Sequence, residues 1–253
     1  MLQIIVPMAG AGSRFAAAGY QDPKPLIPVH GVPMIKLVIE NLTPSRPHRF
    51  IFVCQAEHVA AYGLEERLKV WAPDCAIVEL HGLTEGAACT VHAARDVIDR
   101  SQPVMIANSD QYVDLTIDDY LQAMDDKGLD GLIMTMQADD PKWSFVGFDG
   151  QGLIDRVVEK QVISDEATVG IYNFRSGAQL LDAIEAMLRK NLRVNGEFYV
   201  APVYNEIIAQ GGRVSHYSVG REGQGMHGLG IPADLDHFLS LPVSRRATAT
   251  EAD

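Results

Sequence analysis

LQIIVPM at residues 2–8, running straight into AGAGSRF at 9–15, is the stretch that decides the fold. The first run is continuous, uncharged and β-branched at Ile4, Ile5 and Val6, the pattern of a strand buried on both faces. At its carboxyl end Gly10 and Gly12 stand two apart, so the backbone can pass close to a ligand and point its amides into an anion-binding nest. The loop lacks the Gly-Lys-Ser/Thr ending of a Walker loop, and Phe15 stands where a dinucleotide fingerprint has its third glycine. The glycines alone would serve equally well in an ordinary strand-to-helix turn. The balance shifts at Asp22-Pro23-Lys24-Pro25-Leu26, where prolines restrict the backbone on both sides of Lys24, a costly way to place a merely solvated cation. Arg14 and Lys24 then add positive charge to the nest.

Working outward, strand-length apolar runs alternate with helical patterns. MIKLVIENL (34–42) sets Ile35, Val38, Ile39 and Leu42 at helical spacing, with Pro33 suited to the first turn. FIFVC (50–54), CAIVEL (75–80) and PVMIAN (103–108) read as further buried strands, separated by helices at 58–71 and 86–98. This β-α-β-α-β-α-β order predicts a parallel, helix-covered sheet. Beyond Asp110 the order is less regular. A helix is expected at 118–126, a strand at 131–137, and two strands across 144–160 joined by the turn-rich DGQG. Further strands are expected at 168–174 and 213–219, and helices at 176–191, 198–211 and 233–241. We expect one domain over residues 1–242 with an inserted β-hairpin region, and a disordered small, polar tail over 243–253.

The 253 residues, 47% apolar and 21% charged, suit one globular domain and exclude disorder, collagen and coiled coil. Lys plus Arg number 21 against 33 Asp plus Glu, a net charge of −12, so nucleic acid is not an expected partner. Cys54, Cys75 and Cys89 are odd in number and form no C-x-x-C pair, which argues against a disulfide framework or a thiolate zinc site. No apolar run approaches the ~18 residues of a membrane span, and the first residues lack the basic region of a signal peptide. No membrane partner is expected, and the cytoplasm is the simplest location. The eight histidines include no H-E-x-x-H, and no G-x-S-x-G nucleophile elbow occurs.

A first strand followed by G-x-G-x-R-F and then K-P-L resembles the signature of the sugar-phosphate nucleotidyltransferases, pyrophosphorylases whose sheet is also shared by nucleotide-sugar-dependent glycosyltransferases. The similarity runs from about Ile4 to Leu235 and is to the short capsule and lipopolysaccharide cluster members. It implies an α/β fold of three layers, α/β/α, Rossmann-like (GT-A-like), with a mixed, mostly parallel central sheet. By this resemblance Ala9, Gly10, Gly12, Ser13, Arg14, Lys24, Glu85, Gly86 and Ser109 are nucleotide ligands, and Arg14, Lys24 and Asp110 are catalytic. Asn108-Ser109-Asp110 ends the fourth buried strand, an edge that faces the ligand crevice of such sheets, although Asp110 could also cap the segment beginning near Asp114. The resemblance makes Asp110 the ligand of a Mg²⁺ cofactor, an ion that takes hard oxygens and keeps several waters. The family's second carboxylate falls at Gly228 in Met226-His227-Gly228-Leu229-Gly230-Ile231, so that ligand is missing from its usual place. Thr84, Glu85 and Gly86 lie where the family's base-recognition segment lies, with Thr84 equally able to cap a helix. Glu159 and Lys160 resemble the family's E-K pair at the acceptor site, where an exposed ion pair is the plainer reading of the residues alone. Asn195 and Glu197 resemble the segment that completes the acceptor pocket, and Trp143 and Tyr199 could stack on an acceptor or simply belong to the core.

The expected function is transfer of a nucleoside monophosphate from an NTP to a small phosphorylated acceptor, foremost a sugar 1-phosphate, with release of pyrophosphate. The activated product would supply capsule or lipopolysaccharide biosynthesis. A cytidylyltransferase acting on phosphocholine or a phosphorylated amino-acid derivative is the alternative. A glycosyltransferase would need D-x-D where this chain reads N-S-D, and a silent regulatory paralogue should have lost Lys24 or Asp110. The base, the exact acceptor and a homodimer stay open on the sequence.

Overall fold

Ile4, Ile5 and Val6 are all 0% exposed in the computed structural model, which describes residues 1–249. They lie in strand β1 (Leu2–Pro7), and the period of two sends Ile4 and Val6 into one apolar cluster and Ile5 into another across the sheet. Next come helix α1 (Ser13–Ala17), a 3-10 turn at Lys24–Leu26, the small hairpin β2 (Pro28–Val29) and β3 (Val32–Pro33), and helix α2 (Met34–Leu42). Strand β4 (His48–Gln55), helices α3 (Ala56–Tyr62) and α4 (Leu64–Trp71), strand β5 (Ala76–Leu80), helix α5 (Ala87–His92) and strand β6 (Val104–Ala107) complete the first half. The single helix expected over 58–71 is two, because Gly63 adopts φ 56 between them. The helix expected over 86–98 ends at His92 and tightens into turns up to Ile98.

The second half holds β7 (Gln111–Val113), α6 (Ile117–Lys127), β8 (Gly131–Gln137), the hairpin β9 (Ser144–Phe148) and β10 (Ile154–Glu159), β11 (Glu166–Phe174) and α7 (Gly177–Arg189). After a 3-10 turn at Ala201–Val203 follow α8 (Tyr204–Ala209), β12 (Val214–Glu222), β13 (Gly225–Gly228), α9 (Pro232–Ser240) and α10 (Pro242–Ala247). The helix expected over 198–211 therefore shrinks to α8, since Pro202 opens the turn before it. The tail expected over 243–253 is folded where it is described. Val243 and Ser244 are buried in α10, and the Ser244 hydroxyl pairs with His30 Nε2 at 2.8 Å, contacts that polar composition could not announce. Residues 250–253 lie outside the described residues.

The sheet runs β5-β4-β1-β6-β11-β8-β12-β13-β7. Its first four strands are parallel, as the alternating order requires, while β11 is antiparallel to both β6 and β8. Strand β11 follows the β9–β10 hairpin without a crossover helix, and only a crossover could have made it parallel. Helices α2, α4 and α6 cover one face and α5, α7 and α8 the other. On α7 alone Leu180, Leu181, Ile184 and Met187 are buried, each contributing about 1.5–3 kcal/mol by leaving water. A third cluster ties Phe15 of α1 and Val29 to Leu229, Leu235, Phe238 and Val243, so the last helices brace the loops at one sheet edge.

Candidate active site

At the carboxyl ends of β1 and β6 opens a cleft of about 440 Å³, lined by the glycine loop, Lys24, residues 84–87 without Glu85, Asn108, Ser109, Asp110 and Glu197. The loop is held from below: the Met8 amide donates to Val53 O at 2.9 Å, and Gln55 Nε2 donates to Ala9 O at 2.6 Å and Gly82 O at 3.0 Å. Gln55, at the end of the neighbouring strand, thus fixes two loops at once, a role that sequence reading missed. The amides of Gly10, Ala11 and Gly12 donate to no acceptor among the described residues, and Gly10 has no atom within 4 Å of the position a Cβ would take. Gly12 has φ 60, so a side chain there is strained although it would only graze Lys24 Cβ at 3.6 Å. Gly12→Val should cost about 1–3 kcal/mol of stability and close the nest. Calorimetry of NTP binding checks this, and wild-type affinity in the variant would remove the loop from the phosphate site.

Across the cleft Lys24 Nζ donates to Asp110 Oδ2 at 2.7 Å, with the two side chains 24% and 23% exposed. Pro23 is extended (φ −62, ψ 146) and its carbonyl receives the Leu26 amide at 2.8 Å, so the turn that aims Lys24 is fixed by its flanking prolines as the sequence predicts. Arg14 and Ser13 are exposed on α1, and neither side chain has a polar partner among the described residues. Asp110 sits between β6 and β7, and its carbonyl accepts the Leu229 amide at 2.8 Å, which anchors the end of β13 beside it. A Cβ on Gly230 would lie 2.8 Å from Asp110 Oδ2, and one on Gly228 would lie 3.4 Å from Asp234 Oδ2. Burial, then Glu222 with Asp110, pushes the Asp234 carboxyl above the ordinary aspartate range.

The two segments given separate roles by sequence form one bracket. The Phe198 amide donates to Glu85 O at 2.8 Å and the Ala88 amide to Phe198 O at 3.0 Å, so the start of α5 is stitched to residues 195–200. Thr84 Oγ1 bonds Gly86 O at 3.0 Å and Thr90 Oγ1 at 2.6 Å. The Glu85 carboxylate turns away from the cleft to Arg193 at 3.1 Å, and the Arg193 guanidinium stacks 4.1 Å over Phe198. Gly86, Ala9 and Ser109 do border the cleft; Glu85 does not. Asn195 (φ 49) and Gly196 (φ 82) make the tight turn that pairs Val194 with Glu197, so the exposed Asn195 shapes the backbone while Glu197 faces the cleft.

Glu159, at the end of β10, is buried and accepts a hydrogen bond from Ser144 Oγ. Lys160 adopts φ 56, a left-handed geometry that turns its chain so that Nζ donates to the Tyr199 hydroxyl at 2.8 Å. The exposed Glu159/Lys160 ion pair, the plainer alternative to an acceptor role, is therefore absent among the described residues. Trp143 packs against the core with its indole Nε1 buried and without a partner, while its carbonyl receives the Lys160 amide at 3.0 Å. Burial pushes the Glu159 carboxyl above the ordinary glutamate range, against the pull of Ser144 and Lys160, with Glu197 adding to the rise. A carboxyl raised on folding contributes stability that is present below its unfolded value and lost as pH climbs through the folded one. Glu159→Gln should match wild type in acid and gain in relative melting temperature as pH rises from the ordinary glutamate range through the raised folded value. A difference that stays constant across that range would show that the charge is not buried.

Three unpaired loop amides and a lysine facing a carboxylate lie at the carboxyl edge of a three-layer α/β/α, Rossmann-like sheet, the edge at which such α/β proteins place their ligand crevice. A family model described as nucleotidyl transferase matches residues 4–198. The chain is 31% identical over 220 residues to the bifunctional protein GlmU of Burkholderia multivorans and 30% identical over 221 residues to that of Burkholderia orbicola. Each match covers 83% of this chain and 45% of the relative, so the chain spans about half the length of the curated relatives it matches. Among solved structures, the nucleoside-diphosphate-sugar pyrophosphorylase of Vibrio cholerae superposes with a TM-score of 0.79 at 26% identity, covering 94% of this chain and 100% of that one. A UDP-glucose pyrophosphorylase complexed with UDP-glucose shares the fold at a TM-score of 0.74 and 15% identity, covering 93% of this chain and 96% of that one. The chain belongs to the nucleotidyl transferase family, among the sugar-phosphate nucleotidyltransferases.

Proposed function

We propose that the chain transfers a nucleoside monophosphate from an NTP to a sugar 1-phosphate, releasing pyrophosphate. The observation that carries this reading is the Lys24/Asp110 pair at 2.7 Å beside three unpaired loop amides, a cation, a carboxylate and an anion nest at one cleft mouth. Ala9, Gly10, Gly12, Ser13, Gly86 and Ser109 would border the nucleotide, with Arg14 and Lys24 neutralising its phosphates. Residues Trp143, Glu159, Lys160, Asn195 and Glu197 would shape the acceptor side. An acceptor phosphate with a second pKa near ~6 is already a dianion at neutral pH, so the chain need only hold its oxygen in line with the α-phosphorus. Among the described residues no histidine lines the cleft.

Mg²⁺ suits this reading. Gly230 leaves open the space that a Cβ would take from the Asp110 carboxylate, which would be met at 2.8 Å, so this hard oxygen donor stays accessible at the cleft. Asp110 would hold the ion, which when bound neutralises triphosphate charge. Among the described residues no group of three or more His, Cys, Asp or Glu is placed to hold a metal. Among the described residues no helix is long and apolar enough to cross a membrane. A cytoplasmic setting, where NTP is supplied, is the one we propose. Supply of capsule or lipopolysaccharide precursors is the destination that the resemblance to the short cluster members supports.

The test is pyrophosphate release from each ribonucleotide and dTTP against a panel of sugar 1-phosphates, phosphocholine and phosphorylated amino acids. Turnover with one sugar 1-phosphate is expected. Release with only a non-sugar phosphate would overturn the acceptor, and no release with any pair would overturn the transfer.

A further inference from the structure

Asn173 in β11 is 3% exposed, and its Oδ1 is buried without a hydrogen-bond partner among the described residues. Strand pairing sets it opposite Met105 of β6 and Leu132 of β8, and both belong to the apolar cluster that α6 covers, so the amide shares their face of the sheet. A buried amide left unsatisfied is costly, and such a group calls for a partner that accounts for it. Asn173 also lines a cavity of about 420 Å³ at the sheet edge opposite the candidate active site, where β1 begins and β11 ends. Leu2, Leu121, Met124 and Leu129 give that cavity apolar walls. Arg46 and Arg175 line it too, and with side chains 33% and 68% exposed they mark its mouth. Arg46 donates one N–H to Asp125 Oδ2 at 2.8 Å, and Arg175 Nη1 lies 2.6 Å from Asp130 Oδ1. A guanidinium carries five N–H donors, so both keep some for a further acceptor.

We propose that this cavity is a second ligand site, for a small organic anion that carries a hydroxyl group. The hydroxyl meets the Asn173 amide, an apolar ring or short chain lies against the leucines, and the anionic group meets Arg46 and Arg175 at the mouth. Each part answers a feature of the lining. Oδ1 can only accept, so the inner end of the ligand brings a donor, and a hydroxyl does so without burying a charge as an ammonium would. A hydroxyl also accepts, so it suits the amide in either orientation. An anion at the mouth stays partly hydrated and takes charge-assisted bonds from the guanidiniums. Asp125 and Asp130 already offset much of their charge, so one carboxylate or phosphate monoester fits better than a polyanion such as a triphosphate. The cavity shares no lining residue with the cleft of Lys24 and Asp110, so it stands or falls apart from the proposed transfer.

The probe is para-hydroxybenzoate, titrated into isotope-labelled full-length protein and followed by NMR at the Asn173 side-chain amide, the signal pair that vanishes in Asn173→Leu. Wild type should bind it and shift that pair. Benzoate, which lacks the hydroxyl, and phenol, which lacks the anion, should each bind at least about tenfold more weakly, the ratio set by one hydrogen bond to an otherwise unsatisfied buried group or one charge-assisted contact. Asn173→Leu should bind the two benzoates alike. Arg46→Gln with Arg175→Gln should bring para-hydroxybenzoate down to the level of phenol. The ratio between the two benzoates is read in wild type, so the test does not depend on the folding of any variant. Equal affinity for them there would show that Asn173 does not read the hydroxyl. Binding of para-hydroxybenzoate that survives both sets of substitutions would place it elsewhere on the protein. If it does not bind wild type at all, water alone serves the amide and the cavity is no such site.

Discussion

Lys24→Ala should lower turnover by about 10²- to 10³-fold, the loss seen when one fixed donor to developing charge is removed, and should leave the melting temperature almost unmoved. The ammonium has Asp110 as its partner at 2.7 Å, and a pair this near the surface contributes no more than about 1 kcal/mol to folding. The turn beneath does not depend on the lysine side chain, because Pro23 and Pro25 set the backbone and the Leu26 amide closes on Pro23 O. The variant therefore isolates the charge. Lys24→Arg keeps that charge but spreads it over a planar fork on a different reach, so it should recover only part of the rate. The same pair makes a second prediction with the opposite sign. Asp110 freed of Lys24 should hold Mn²⁺ more tightly in nucleotide-free Lys24→Ala than in wild type, because the cation no longer competes with an ammonium for Oδ2. Pyrophosphate release at wild-type rate would take Lys24 out of the chemistry, and unchanged Mn²⁺ affinity would show that Asp110 does not meet the ion.

How much of this was legible before folding depends on whether the signal was local. The strand at 2–7, the glycines behind it and the prolines around Lys24 are neighbours in sequence, and each constrains the backbone by sterics that any reader can apply. Asp110 was legible for the same reason, as the charged end of an apolar run. Pairing across long separations was not. Nothing in the period-two pattern of 168–174 states that β11 runs antiparallel, and nothing around Glu85 states that its carboxylate will find Arg193, 108 residues away. Burial of Val243 and Ser244 was hidden because two buried positions in a polar stretch carry too little hydrophobic signal to be read. The departure at Gly228 was visible as an absence, while the return of α9 to that sheet edge became visible only in the fold.

Gly86→Ala should be strongly damaging while it leaves the chemistry-bearing side chains untouched. Gly86 adopts φ 125 and ψ 171, a region open essentially to glycine alone, which costs any other residue about 1–3 kcal/mol. A Cβ there would also lie 2.4 Å from Phe198 O and 2.6 Å from Phe198 N, inside the backbone of the facing segment. Backbone cannot rotate aside as a side chain can, so the collision adds about 1–3 kcal/mol of overpacking. A loss of even about 2 kcal/mol in a domain of this size lowers the melting temperature by about 4–8 °C. The strain is relieved by parting the two segments, which breaks the bonds from Phe198 N to Glu85 O and from Ala88 N to Phe198 O and moves Glu197 off the cleft wall. KM should then rise for both nucleotide and acceptor, while Lys24 and Asp110, on other elements, stay paired. Gly82→Ala is the control, since Gly82 has φ 137 but nothing within 4 Å of its Cβ position, so it carries backbone strain without the collision. Equal melting temperatures and equal KM values for the two variants would show that close packing of Phe198 on Gly86 does not hold the bracket together.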